Sequence, residues 1–107
     1  MIVQRGEIRW YRFARPDKKR PVLILTRDPA IAFLNDVTVA PVTSTIRHVP
    51  SEVILDESDG VPVECAINLY HLQTVPKTRV GQLVATLSDE RMTEVGAALR
   101  FALGFER

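Results

Sequence analysis

A chain of 107 residues, 46% of them hydrophobic, is sized for one globular domain spanning 1–107, with a modest core and no room for a second. Its net charge of +1 hides an asymmetry: residues 1–20 carry seven Lys and Arg against Glu7 and Asp17, giving +5, while residues 21–107 sum to −4. A local basic region of this kind steers polyanions even when the total charge is near zero, although it serves equally as a solubilising rim. The start Met1-Ile2-Val3-Gln4-Arg5-Gly6 lacks the apolar centre of a secretory signal, and no apolar run approaches the ~18 residues of a membrane span, so a soluble, cytoplasmic protein is expected. Cys65, His48 and His71 are scattered without the spacing of a zinc site, and no metal or other cofactor is expected.

Gly6 precedes Glu7-Ile8-Arg9-Trp10-Tyr11-Arg12-Phe13, which predicts a first strand with Trp10 and Phe13 in the core. Arg15-Pro16-Asp17 marks a turn, and Pro21 holds Arg20 to an extended backbone, so a charged loop ends on Arg20. Val22-Leu23-Ile24-Leu25 is a continuous apolar run, predicting a central strand buried on both faces. A short helical turn is expected over 29–34, broken by Asn35-Asp36. The run 37–42 predicts a strand whose Pro41 implies an edge, a bulge or the strand's end. Strands follow over 52–56 and 65–70, separated by the turn Ser58-Asp59-Gly60, with a weaker one over 80–85. The flanks of Cys65 suit a buried strand residue and not an activated thiol.

Ser88 followed by Asp89 and Glu90 predicts a capped helix. Met92, Val95, Leu99 and Leu103, with Ala98 and Ala102, form its apolar stripe, and Gly104 its stop. Strands in succession and one terminal helix give an α+β chain with a mostly antiparallel, barrel-like sheet.

Two polar signatures abut strands: Lys19-Arg20-Pro21 and Pro41-Val42-Thr43-Ser44. Metal-free phosphodiester cleavage needs a counter-charge on the phosphate, removal of a proton from the nucleophile and protonation of the leaving oxygen. Arg20 suits the first role, because a guanidinium donates to two phosphate oxygens at once. Thr43 and Ser44 can donate hydroxyl hydrogen bonds to the same group. In RNA the 2′-hydroxyl is an internal nucleophile, so the protein need not supply one. Proton transfer is open: arginine, with a pKa above about 12, is a poor base near neutral pH, and His48 is the natural alternative. His71 reads as a packed or surface residue at a strand end. Taken singly, Arg20 is also explained by a surface ion pair and Thr43 by a turn cap.

Arg5-Gly6-Glu7-Ile8 with Trp10, Lys19-Arg20-Pro21-Val22-Leu23-Ile24 and Val39-Ala40-Pro41-Val42-Thr43-Ser44 stand in the order found in one family. Leu69-Tyr70-His71-Leu72-Gln73-Thr74-Val75-Pro76-Lys77 with Arg79-Val80-Gly81, and Leu87-Ser88-Asp89-Glu90-Arg91-Met92, continue that order. Over nearly its whole length the chain resembles the MazF/PemK (Kid-like) toxin endoribonucleases of type II toxin–antitoxin systems. The resemblance implies an SH3-like, CcdB/MazF-type, mostly antiparallel β-barrel with a C-terminal helix and short helical segments, usually a homodimer. It implies a metal-independent, sequence-specific endoribonuclease that cuts single-stranded RNA to 2′,3′-cyclic phosphate and 5′-hydroxyl ends and is neutralised by a cognate antitoxin. Arg20 and Thr43 match the family's catalytic pair, the arginine being credited with acid–base as well as phosphate work. Ser44, Lys18, Lys19, Arg47 and His48 are the expected RNA-binding residues.

The segment before Arg20 is short and charged where many relatives have a longer, glycine-rich loop, and Gln73 stands where many have arginine. Two other readings use the same scaffold: a non-catalytic, CcdB-like topoisomerase poison, and an RNA-binding barrel without activity.

Overall fold

The computed structural model describes residues 2–13 and 19–105. Among them seven strands form one antiparallel sheet: β1 (Glu7–Arg12), β2 (Lys19–Ile24), β3 (Asp36–Thr43), β4 (Glu52–Leu55), β5 (Cys65–Asn68), β6 (Gln73–Pro76) and β7 (Val80–Thr86). A one-turn helix α1 (Asp28–Ile31) joins β2 to β3, and α2 (Asp89–Leu103) ends the chain. The strand order is β4-β5-β3-β2-β1-β7, with β6 beside the first half of β3.

The mostly antiparallel sheet and terminal helix are as expected, and the sheet is not closed: β4 and β7 stand at opposite ends of this order. Its chain of neighbours doubles around two cores, one on each face. Leu23, Ala40, Val42, Ile67 and Leu69 pack on one face with Val95 and Ala98 of α2. Val22, Ile24, Val37, Val39 and Val75 pack on the other with Tyr11 and Val80. The apolar run of β2 thus serves both cores by simple alternation, as expected of a central strand, and Val22, Leu23 and Ile24 are wholly buried.

Pro41 lies inside β3, where that strand leaves β6 and takes up β5: Val39 pairs with Gln73, and Val42 with Ile67. A residue without an N–H is tolerated at such a change of partner. β6 went unpredicted in the sequence, since within it only Val75 is buried. The Ser88 hydroxyl accepts the Arg91 N–H at 3.1 Å, and Gly104 closes α2 at φ 77°, a left-handed conformation that suits glycine. The apolar stripe packs as expected through Met92, Val95, Ala98, Leu99 and Ala102, and only its Leu103 stands exposed. Among the described residues no helix is long and apolar enough to cross a membrane.

Candidate active site

The β2–β3 register pairs Ile24 with Val39, Leu23 with Ala40 and Val22 with Pro41. Continued two residues past its last pair, it sets Arg20 opposite Thr43, on the face shared by Val22 and Pro41. There the strands part, and a groove of about 290 Å3 opens, lined by Arg20, Pro21, Val42, Thr43 and Ser44. Arg20 is exposed and Pro21 half-buried, so the proline fixes the backbone while the guanidinium reaches solvent. The Thr43 Oγ1 accepts the Thr45 N–H at 3.1 Å, which orients the hydroxyl and leaves its proton for a ligand. A cation with a planar fork and two hydroxyls in one groove form a ready receptor for a phosphodiester.

The remaining wall is apolar: Trp10, Val61, Pro62, Val63 and Val84 line it. Trp10 was expected in the core, but β1 pairs it with Pro21, beside Arg20, and it stands half-buried at the groove. Lys19 extends its Nζ over the Trp10 ring, 5.3 Å from the centroid, a cation–π contact at the groove's rim. Of the other expected RNA-binding residues, Ser44 lines the groove, whereas Arg47 lines a separate cavity. His48 is exposed and has a left-handed backbone, φ 56°. Lys18 lies outside the described residues.

Cys65 is buried at the groove floor, and burial pushes its thiol up, aided by the charges of Asp59 and Glu64. A thiol held protonated is a wall and not a nucleophile. The expectation of a buried strand cysteine holds. Among the described residues no three His, Cys, Asp or Glu side chains converge as metal ligands.

Not every cation of the basic segment faces the groove. Arg9 is buried and donates from Nε to Glu7 Oε1 at 2.8 Å, from Nη1 to the Gly81 carbonyl at 3.0 Å and from Nη2 to the Ile2 carbonyl at 3.3 Å. Arg5 Nε donates to the Leu25 carbonyl at 2.8 Å. These two brace the chain's start, whereas Arg20 lines the groove and Lys19 reaches over Trp10 at its rim. Behind its far wall, Arg91 of α2 grips Asp59 through two bonds of 2.9 and 3.1 Å. That hydrogen-bonded guanidinium holds the Asp59 carboxyl below its ordinary value.

Residues 4–103 match the model of the PemK-like, MazF-like toxins of type II toxin–antitoxin systems. The chain is 38% identical over 104 residues to Mycobacterium tuberculosis "Probable endoribonuclease MazF5", covering 96% of this chain and 94% of that one. It is 36% identical over 103 residues to "Probable endoribonuclease MazF2" of the same organism, covering 95% and 99%. Among solved structures, the Mycobacterium tuberculosis toxin MazF-mt6 superposes with a TM-score of 0.85 at 31% identity, covering 94% and 99%. A mycobacterial endoribonuclease solved with its cognate antitoxin superposes at 0.87 with 23% identity, covering 98% of each chain, a likeness of fold. The open antiparallel sheet with its terminal helix, and a family match spanning nearly the whole chain, place this protein in the PemK-like, MazF-like toxin family of type II toxin–antitoxin systems.

Proposed function

We propose that this chain, read as one toxin domain over 1–107, is a sequence-selective endoribonuclease that cuts single-stranded RNA and is silenced by a cognate antitoxin. The observation that carries the reading is the joint placement of Arg20, Thr43 and Ser44 in one groove. Its relatives named as endoribonucleases, and the related fold solved with an antitoxin, support the same activity and partner.

The chemistry follows from charge. The 2′-oxygen attacks phosphorus, the bond to the 5′-oxygen breaks, and the products are a 2′,3′-cyclic phosphate and a 5′-hydroxyl. One proton leaves the 2′-hydroxyl and one reaches the 5′-oxygen, so no water is consumed. Arg20 donates through its fork to the two non-bridging oxygens, whose negative charge grows in the pentavalent transition state. Thr43 adds a hydroxyl donor to the same oxygens, and Ser44 a second. Proton transfer falls to Arg20 or to His48 from the neighbouring loop. No metal is needed, because the guanidinium supplies the counter-charge. Lys19 at the rim, with Lys18, Arg47 and His48, holds the flanking strand.

Exposed Phe33, Leu103 and Phe105 offer apolar surface to a second copy, and we read the active form as a homodimer in the cytoplasm, where a lone cysteine stays reduced. Light scattering should give the mass of two chains; an active monomer would contradict this. The activity test is incubation with a long single-stranded RNA in chelator, with the product ends mapped. Discrete cuts bearing 5′-hydroxyls are expected. No cleavage by a folded protein would favour a non-catalytic poison or an RNA-binding module.

A further inference from the structure

A second cavity, of about 350 Å3, is lined by Arg47, Ser51, Glu52, Asn68, Tyr70 and His71. Register ties it to the groove. Thr43 pairs with Ala66, so the two project from one face, and Asn68, two residues further along β5, shares that face. Thr43 and Asn68 are thus diagonal cross-strand neighbours, about 7–8 Å apart. Residues 44–50 run from one cavity to the other, Ser44 lining the first and Arg47 the second.

The cavity's polar groups are held in a fixed arrangement. Asn68 is buried, and its Oδ1 accepts the Tyr70 N–H at 3.0 Å, which fixes the orientation of its amide. Its Nδ2 then faces His71 Nδ1 at 3.3 Å and can only donate. His71 Nδ1 must therefore accept, and the ring proton sits on Nε2 as a donor for a ligand. Ser51 is 1% exposed, and its Oγ has no hydrogen-bond partner among the described residues. Buried hydroxyls rarely go unpaired without a reason. The Glu52 carboxylate, whose Oε1 accepts the Arg47 N–H at 2.9 Å, offers an acceptor to an amino group. Tyr70, 58% exposed, presents a ring on which a flat group can stack.

We propose that this cavity receives the base of a nucleotide adjoining the cleaved bond and so takes part in choosing the cleavage sequence. Tyr70 stacks on the base, His71 Nε2–H and Ser51 donate to acceptors on its edge, and Glu52 accepts from an exocyclic amino group. Asn68 positions His71 by fixing its tautomer. The proposal rests on the ribonuclease reading above.

The test maps every cut in one long single-stranded RNA for the parent protein, His71→Ala and Tyr70→Ala; both side chains are exposed, so the fold should survive their loss. The preference at one position beside the cut should fall about five- to tenfold in His71→Ala, the worth of one hydrogen bond, while preferences elsewhere hold. Tyr70→Ala should weaken the same position. An unchanged consensus in both variants overturns the proposal, and so does complete loss of cutting by folded His71→Ala, which would put that histidine in the chemistry. A parent protein that cuts nothing overturns the ribonuclease reading itself, a failure visible without any variant.

Discussion

Replacing Arg9 by alanine removes a cation that the fold has enclosed, and the expected damage is to stability. Arg9 and Glu7 are 7% and 8% exposed, and the guanidinium binds the Glu7 carboxylate and the carbonyls of Gly81 and Ile2. Its loss strands a buried carboxylate that, among the described residues, keeps a bond from the Gln4 N–H at 2.9 Å. Breaking one side of such a pair costs about 3–5 kcal/mol. Against a total of roughly 5–15 kcal/mol for a domain, that is a large share. At roughly 4–8 °C per kcal/mol, the melting temperature should fall by about 12–40 °C. Arg20→Ala, at an exposed position in the same basic segment, should stay within about 0.5 kcal/mol of the parent. Glu7→Leu combined with Arg9→Met should recover most of the loss, since neither member of the Glu7–Arg9 pair is then buried without the other. Urea unfolding followed by Trp10 fluorescence measures all four proteins. An Arg9→Ala variant within about 1 kcal/mol of the parent, or an Arg20→Ala variant equally damaged, would refute the division of the basic segment into bracing and groove cations.

Gly81 lies against β1, where an added Cβ would meet the Trp10 carbonyl oxygen at 3.0 Å. Gly81→Ala should therefore cost about 1–3 kcal/mol and displace Trp10 at the groove, read as a shifted fluorescence maximum; unaltered stability and emission would show that β1 and β7 can part without cost. Asp59 titrates below its ordinary value of 3.8 because Arg91 holds its charged form, so its stabilising contribution is complete above that value and disappears as pH falls through the lower folded value. Part of the acid destabilisation that sets in as pH falls through 3.8 and below should accordingly be missing from Asp59→Asn; urea midpoints that fall equally in both proteins would remove the pair from the account.

The central strand was legible because the consecutive apolar residues Val22, Leu23 and Ile24 of β2, with Leu25 just beyond it, can be buried only if both faces are covered. The helix was legible from its serine cap and its stripe, although Leu103, in the last turn, keeps the period without being buried. β6 was illegible for the opposite reason: its pairing with β3 comes from backbone hydrogen bonds, while its side chains, Val75 apart, face solvent. Arg20 and Thr43 were readable as candidates from their strand ends, but their meeting depends on the register between β2 and β3, which no local pattern encodes. Trp10 showed only an aromatic in a strand, and its place at the groove follows from pairing with Pro21. The wall built by residues 61–63 comes from a connecting segment without periodicity. Glu7 and Arg9, by contrast, sit two apart in a strand and share a face, so their pairing could have been inferred within the basic run.

The most direct test of the central claim is single-turnover cleavage of one short RNA, in chelator, by the parent protein, Arg20→Ala and Thr43→Val, each shown by urea unfolding to be folded. Removing a groove donor aimed at transition-state charge should cost about 10²–10³ in rate, so Thr43→Val should fall by about that factor. Arg20→Ala should fall at least as far, and further if it also moves a proton. Cleavage by folded Arg20→Ala within about tenfold of the parent would place the chemistry outside the groove and contradict the account.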